Sequence, residues 1–166
     1  MIVMLDPWEL DWVRHVAEQR NVANEGKRDA AHYDPARMQD NLVASVAACA
    51  SELAVAKAVN RYWDGSYWSA GEHSRYADRP DVGTNIEVRR VRKRGNPLPV
   101  RKRDVDRGRV MFLAYPVPDD FREVHVLGYV KAADGWAVGR PADYDAAGNT
   151  RLVEQRHLIS ADGVGR

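Results

Sequence analysis

The chain has 166 residues, 45% hydrophobic and 30% charged, with 25 Lys and Arg against 24 Asp and Glu and a formal net charge of +1. That length suits one domain with a sizeable core, and the balance excludes a disordered chain. A lone cysteine excludes an internal disulfide, no apolar run approaches the roughly 20 residues that cross a bilayer, and MIVMLDPWELDW lacks the basic-then-apolar order of a signal peptide, so a cytoplasmic protein is expected.

Asp6-Pro7-Trp8-Glu9 reads as a helix start, with Asp6 as cap, Pro7 at the first helical position and Glu9 where a capping box places its acid. Leu5, Trp8, Trp12, Val16 and Arg20 follow at helical spacing, which predicts a first helix to about Asn24, broken by Gly26. Asp34-Pro35 opens a second helix in the same way. Met38, Leu42, Val46, Cys49, Leu53 and Ala56 form its apolar stripe, and Ala44, Ala47, Ala48, Ala50, Ala54 and Ala58 leave room for a neighbouring backbone. This helix is expected to end near Trp63 with Gly65 as its stop. Cys49 reads as a small buried thiol.

Strands are expected after it. Tyr67-Trp68 suggests a short one, and Ile86-Glu87-Val88-Arg89 alternates apolar with charged. Val110 to Tyr115 is a continuous apolar run, as a central strand covered on both faces requires, and Val124 to Val130 is its expected neighbour. Asp134-Gly135 turns the chain, residues 137–150 read mostly as loop, and Leu152, Leu158 and Ile159 suggest a last short element. Helices followed by a small mixed sheet give an α/β (α+β) sandwich in a single domain, helical over 1–64 and sheet-forming with a basic loop over 65–166.

The charge is concentrated. Between Arg89 and Arg109 stand Arg89, Arg90, Arg92, Lys93, Arg94, Arg101, Lys102, Arg103, Arg107 and Arg109, opposed only by Asp104 and Asp106. With Gly95, Pro97 and Pro99 among them, the segment reads as a long loop suited to a polyanion. A merely solvated loop is the plain alternative.

Three acids come into view around this segment. Glu52 lies at the buried edge of the second helix, flanked at one-turn spacing by Ala48 and Ala56. Pro80-Asp81-Val82-Gly83 is a turn, and Glu87 and Arg89 share one face of the strand that follows. A turn acid and a strand acid can converge on one hard cation, with a positive group beside the developing charge, which is a recipe for phosphodiester hydrolysis. The plain alternative is a surface ion pair between Glu87 and Arg89 beside an ordinary turn aspartate.

Glu52 on a helix, then Pro80-Asp81, then Glu87-Val88-Arg89 on a strand resembles the restriction-endonuclease-like PD-(D/E)xK superfamily, over about Asp34 to Val130, in the style of its small phage-encoded members. The resemblance implies a restriction-endonuclease-like core, with Asp81 and Glu87 ligating Mg²⁺ or Mn²⁺ together with the Val88 carbonyl, and Glu52 in support. Arg89 stands in the family's lysine position, and the gap from Asp81 to Glu87 is shorter than in many members. An arginine stays protonated, so it would steady the phosphate rather than act as a base. The basic segment from Arg90 onward would then hold the nucleic-acid backbone, with DNA the expected partner.

Other chemistries find less support. His15, His32, His73, His125 and His157 are scattered without zinc spacing, although His73 lies near the proposed site and would suit a proton shuttle. No Walker loop, dinucleotide fingerprint or nucleophile elbow occurs. Trp63, Tyr67, Trp68 and Tyr76 read as core aromatics, with base stacking as the functional alternative. A metal-dependent nuclease acting on DNA is therefore expected, with a non-catalytic nucleic-acid-binding or protein-interaction module as the rival. Oligomeric state is left open.

Overall fold

The computed structural model describes residues 1–24, 41–69, 72 and 78–163. His32, His73, Tyr76, Met38 and the Asp34-Pro35 helix start lie outside the described residues. The first strand, β1 (Ile2–Met4), is too short to announce itself in the sequence. Helix α1 (Pro7–Asn24) starts as the sequence predicts, and the expected break at Gly26 lies outside the described residues. Glu9 accepts the Asp6 N–H at 2.7 Å, the expected reach-back of a capping box, and also binds Lys57 at 2.6 Å. The buried face of α1 is Leu10, Val13, Val16 and Ala17. Trp8 and Trp12 point outward instead, 68% and 42% exposed, so the tryptophan spacing marks the wrong face.

Helix α2 (Asn41–Ala58) buries Ala47, Cys49, Ala50, Ala54 and Ala56, while Leu42, Val46 and Leu53 pack at the margins half-buried. It therefore approaches the sheet through its small residues. Its composition would suit a membrane span, but it packs on α1 and the sheet as a core helix. The helix ends at Ala58, earlier than expected, because Asn60 takes a left-handed conformation (φ 51°). The Arg61 N–H then bonds the Ala56 carbonyl at 2.8 Å and the Asn60 N–H the Lys57 carbonyl at 3.2 Å, a paired stop that asparagine tolerates. Gly65 is not that stop; a side chain there would meet the Trp12 indole at 2.8 Å.

The main sheet is completed by β2 (Ile86–Arg90), β4 (Val110–Pro116) and β5 (Glu123–Lys131), in the order β1-β5-β4-β2. Strand β2 is parallel to β4, and the other pairings are antiparallel. A second sheet has the order β3-β7-β6, from β3 (Leu98–Arg101), β6 (Arg140–Pro141) and β7 (Thr150–Val153). Two short helices, α3 (Lys102–Asp106) and α4 (Ala132–Val138), accompany it. The fold is α+β, with helices against one face of the main sheet and the small sheet against the other. As expected, β4 is covered on both sides: Phe112 and Ala114 join the helical core, Met111 and Leu113 the inter-sheet core.

Three expectations are corrected. The basic segment is not one loop, because Leu98 and Val100 are fully buried in β3. Pro99 is accommodated there because β3 is an edge strand, where a missing N–H costs no ladder bond. Asp134-Gly135 lies inside α4 rather than in a turn, and Gly135 lets that helix press on Val130 and Val100. Tyr67-Trp68 forms no strand.

Candidate functional site

Asp81 occupies the free edge of β2. Its N–H bonds the Ile86 carbonyl at 2.9 Å and its carboxylate accepts the Val88 N–H at 2.7 Å, so a tight turn folds the acid back on the strand. Val88 points into the helical core, which by alternation sends Glu87 and Arg89 to the opposite face. Glu52 reaches toward Asp81 from the helical side. Asp81 thus stands at the sheet edge between two glutamates that approach from opposite faces. Burial, then Glu52, then Glu87 hold its carboxyl well above the usual carboxylate range, against the pull of the Val88 N–H and Arg89.

Each glutamate is already engaged. Arg20 Nη1 donates to both Glu52 oxygens, at 2.8 and 2.9 Å, and the Trp63 indole donates to Glu52 at 3.0 Å. Arg20 is fixed in turn by the Ser66 carbonyl at 2.9 Å and lies over the Trp68 ring. On the other face Arg89 donates to Glu87 at 2.6 Å and to Asp104 at 3.1 and 3.3 Å. Burial alone would discourage the charge on Arg89, but Glu87 and Asp104 outweigh it and hold the guanidinium firmly protonated. Asp104 also accepts the Arg101 N–H at 2.9 Å, tying α3 to this network. Arg109 approaches the second oxygen of Glu87 at 4.0 Å. Among the described residues no three His, Cys, Asp or Glu side chains are grouped as a ready metal cage.

The remaining basic residues divide by exposure. Arg92, Lys93 and Arg94 are exposed on the turn after β2 and make no ion pair among the described residues. Arg101, Lys102 and Arg103 are exposed at α3, with Lys102 paired to Asp106. Arg90 is half-buried, Arg107 pairs with Asp78, and Arg109 is buried with its guanidinium on the Asp78 carbonyl.

Sequence reasoning missed Arg20 and Asp104. Both carry a signal: an arginine within an apolar helical spacing, and an acid inside a basic run. Beside this site, Cys49 is buried, with burial and then Glu52 pushing its thiol up to about 12. His125 is packed, edge-on to Tyr115 and 2.5 Å from Glu123.

A groove opens at Asp81, lined by Asn60, Arg61, Tyr62, Asp64, Gly83 and Thr84. The chain matches no family model, no curated protein and no solved structure.

Proposed function

We propose that this chain is a metal-dependent nuclease, or a protein derived from one, that acts on DNA in the cytoplasm. The observation that carries the reading is Asp81, held by the Val88 N–H at the sheet edge, where burial first and then Glu52 and Glu87 raise its pKa. Such a crowding of carboxyl groups suits a divalent cation. Mg²⁺ commonly uses only one or two carboxylates and completes its shell with water and substrate phosphate, so two acids suffice. Asp81 and Glu87 would hold Mg²⁺ or Mn²⁺, with the Val88 carbonyl beside them. When bound, the cation supplies Lewis acidity and a more acidic water.

The chain's own groups do the rest. Glu52, fixed by Arg20 and Trp63, keeps negative potential on Asp81 from the helical side. Arg89 stays protonated, positions Glu87 and offers positive charge to a phosphate. Arg92, Lys93, Arg94, Arg101, Lys102 and Arg103 present exposed charge to the backbone. Arg109 acts through Glu87 rather than by touching DNA.

One observation favours the rival, a binding module without catalysis: the Arg89 guanidinium already neutralises Glu87 at 2.6 Å and is anchored by Asp104. Plasmid and single-stranded DNA incubated with Mg²⁺, Mn²⁺ or chelator separate the two. Cutting that needs the cation and disappears in Asp81→Ala and Glu87→Ala, with DNA binding retained, supports the nuclease. Equal binding with and without chelator, no cutting under any condition, and loss of affinity only when the basic residues are neutralised support the module.

A further inference from the structure

Beside the groove at Asp81 lies a second lobe lined by Arg61, Gly83, Thr84, Ile86, Phe112 and Tyr129. The two lobes, about 460 and 520 Å³, share Arg61, Gly83 and Thr84, so they adjoin there and Arg61 borders both. Each lobe is the size of a small-molecule pocket, roughly 300–1,000 Å³. The first lobe is lined by Asp81 and by Tyr62, a tyrosine 80% exposed. The second is lined by the stacked pair Phe112 and Tyr129, ring centroids 5.1 Å apart.

Arg61 differs from the arginines around it. Arg20, Arg89, Arg107 and Arg109 are each committed to an acid or a carbonyl, whereas Arg61 is exposed and makes no ion pair among the described residues. Its backbone is pinned by the paired hydrogen bonds that stop α2, so the side chain starts from a fixed point. We infer that these two lobes seat a single-stranded stretch of nucleic acid, with a phosphate at Arg61, a base against Tyr62 in the Asp81 lobe and its neighbour toward Tyr129.

Charge and ring chemistry select that ligand. Without a divalent cation, the Asp64 carboxylate disfavours phosphate in the outer lobe, which suits that lobe to a base, and Arg61 is the only cation among the described residues that line the two lobes. An aromatic ring at the surface rewards an unstacked base, and a duplex has none to offer except at an end. The inference takes its ligand class from the reading of the chain as a DNA-acting protein and adds strand preference to it.

The test is anisotropy of a fluorescent oligodeoxythymidylate and of a hairpin duplex, both in chelator so that no strand is cut. Arg61→Gln and Tyr62→Ala alter exposed side chains, and circular dichroism confirms that their folds are kept. Each is expected to weaken single-strand binding by about tenfold, the size of one base–aromatic stack, and to leave the duplex within twofold. Arg61→Gln also lowers the salt slope on single strands by about 0.7, the loss of one phosphate contact. Lys93→Gln, on the exposed basic turn, weakens both ligands alike. Unchanged affinity in both variants, equal losses on the duplex, or no single-strand binding by the parent protein would overturn the inference. Nuclease activity is judged separately, by cation-dependent cutting, so either idea can fail while the other stands.

Discussion

Nη1 of Arg20 lies 2.8 and 2.9 Å from the two oxygens of Glu52, so a single donor group serves both ends of the carboxylate. Both side chains are largely buried, at 15% and 8% exposure, which makes the pair strongly asymmetric under mutation. Arg20→Met leaves a buried carboxylate without its cation and should cost about 3–5 kcal/mol. The double variant Arg20→Met/Glu52→Met should recover most of that loss. Urea denaturation of the two singles and the double measures it, and a double variant no more stable than Arg20→Met would refute the pairing.

Asp81 gives a pH dependence whose sign follows from its raised pKa. The folded chain binds this proton more tightly than the unfolded chain, so stability falls as pH rises from the ordinary aspartate range through the raised value. Asp81→Asn keeps an acceptor for the Val88 N–H and removes the charge. The variant should match the parent below the ordinary aspartate pKa and melt higher at pH 8. Melting curves across that range check it, and a variant less stable at pH 8 would show that the charge is welcome there.

The proposed divalent cation should reverse this penalty. At a concentration tenfold above its Kd, Mg²⁺ should stabilise the parent by about 1.4 kcal/mol through linkage alone. Glu87→Ala and Asp81→Ala should lose that gain. Calorimetric melting with Mg²⁺ and with chelator gives the answer without reference to any substrate.

Gly128 lies opposite the irregularity between Leu113 and Ala114, with φ 151°. An added Cβ would meet the Ile159 carbonyl and Leu158 Cβ, both at 2.8 Å. Gly128→Ala should therefore push the C-terminal segment off β5 and cost about 1–3 kcal/mol. Thermal unfolding measures the cost.

Cys49, with its thiol pushed up to about 12 and fully buried, should resist alkylation at pH 8 in the native state. It should react promptly once the chain is unfolded. Rapid native labelling would mean that α2 opens.

Strong local signals made part of the molecule legible in advance. Asp6, Pro7 and Glu9 located the start of α1, and the unbroken run from Val110 fixed β4 as the doubly covered strand, because burial on both faces leaves no room for polar alternation. The elements that were missed had contradictory local chemistry. Pro99 disguised β3, Gly135 disguised α4, and three residues were too few to reveal β1. At the site, the Glu87–Arg89 contact could be read from strand alternation, since i and i+2 share a face. Arg20 could not be assigned to Glu52, because a contact 32 positions apart depends on how two helices cross rather than on either helix alone.

The position of β4 has a consequence for how the chain comes apart. Its alternating side chains belong to both hydrophobic cores, Phe112 and Ala114 to one, Met111 and Leu113 to the other. Neither core can melt without exposing the back of the strand that the other relies on. The helical layer and the small sheet should therefore unfold as one cooperative unit, with amide hydrogen exchange slowest along Met111 to Ala114 and limited by global opening rather than by fraying.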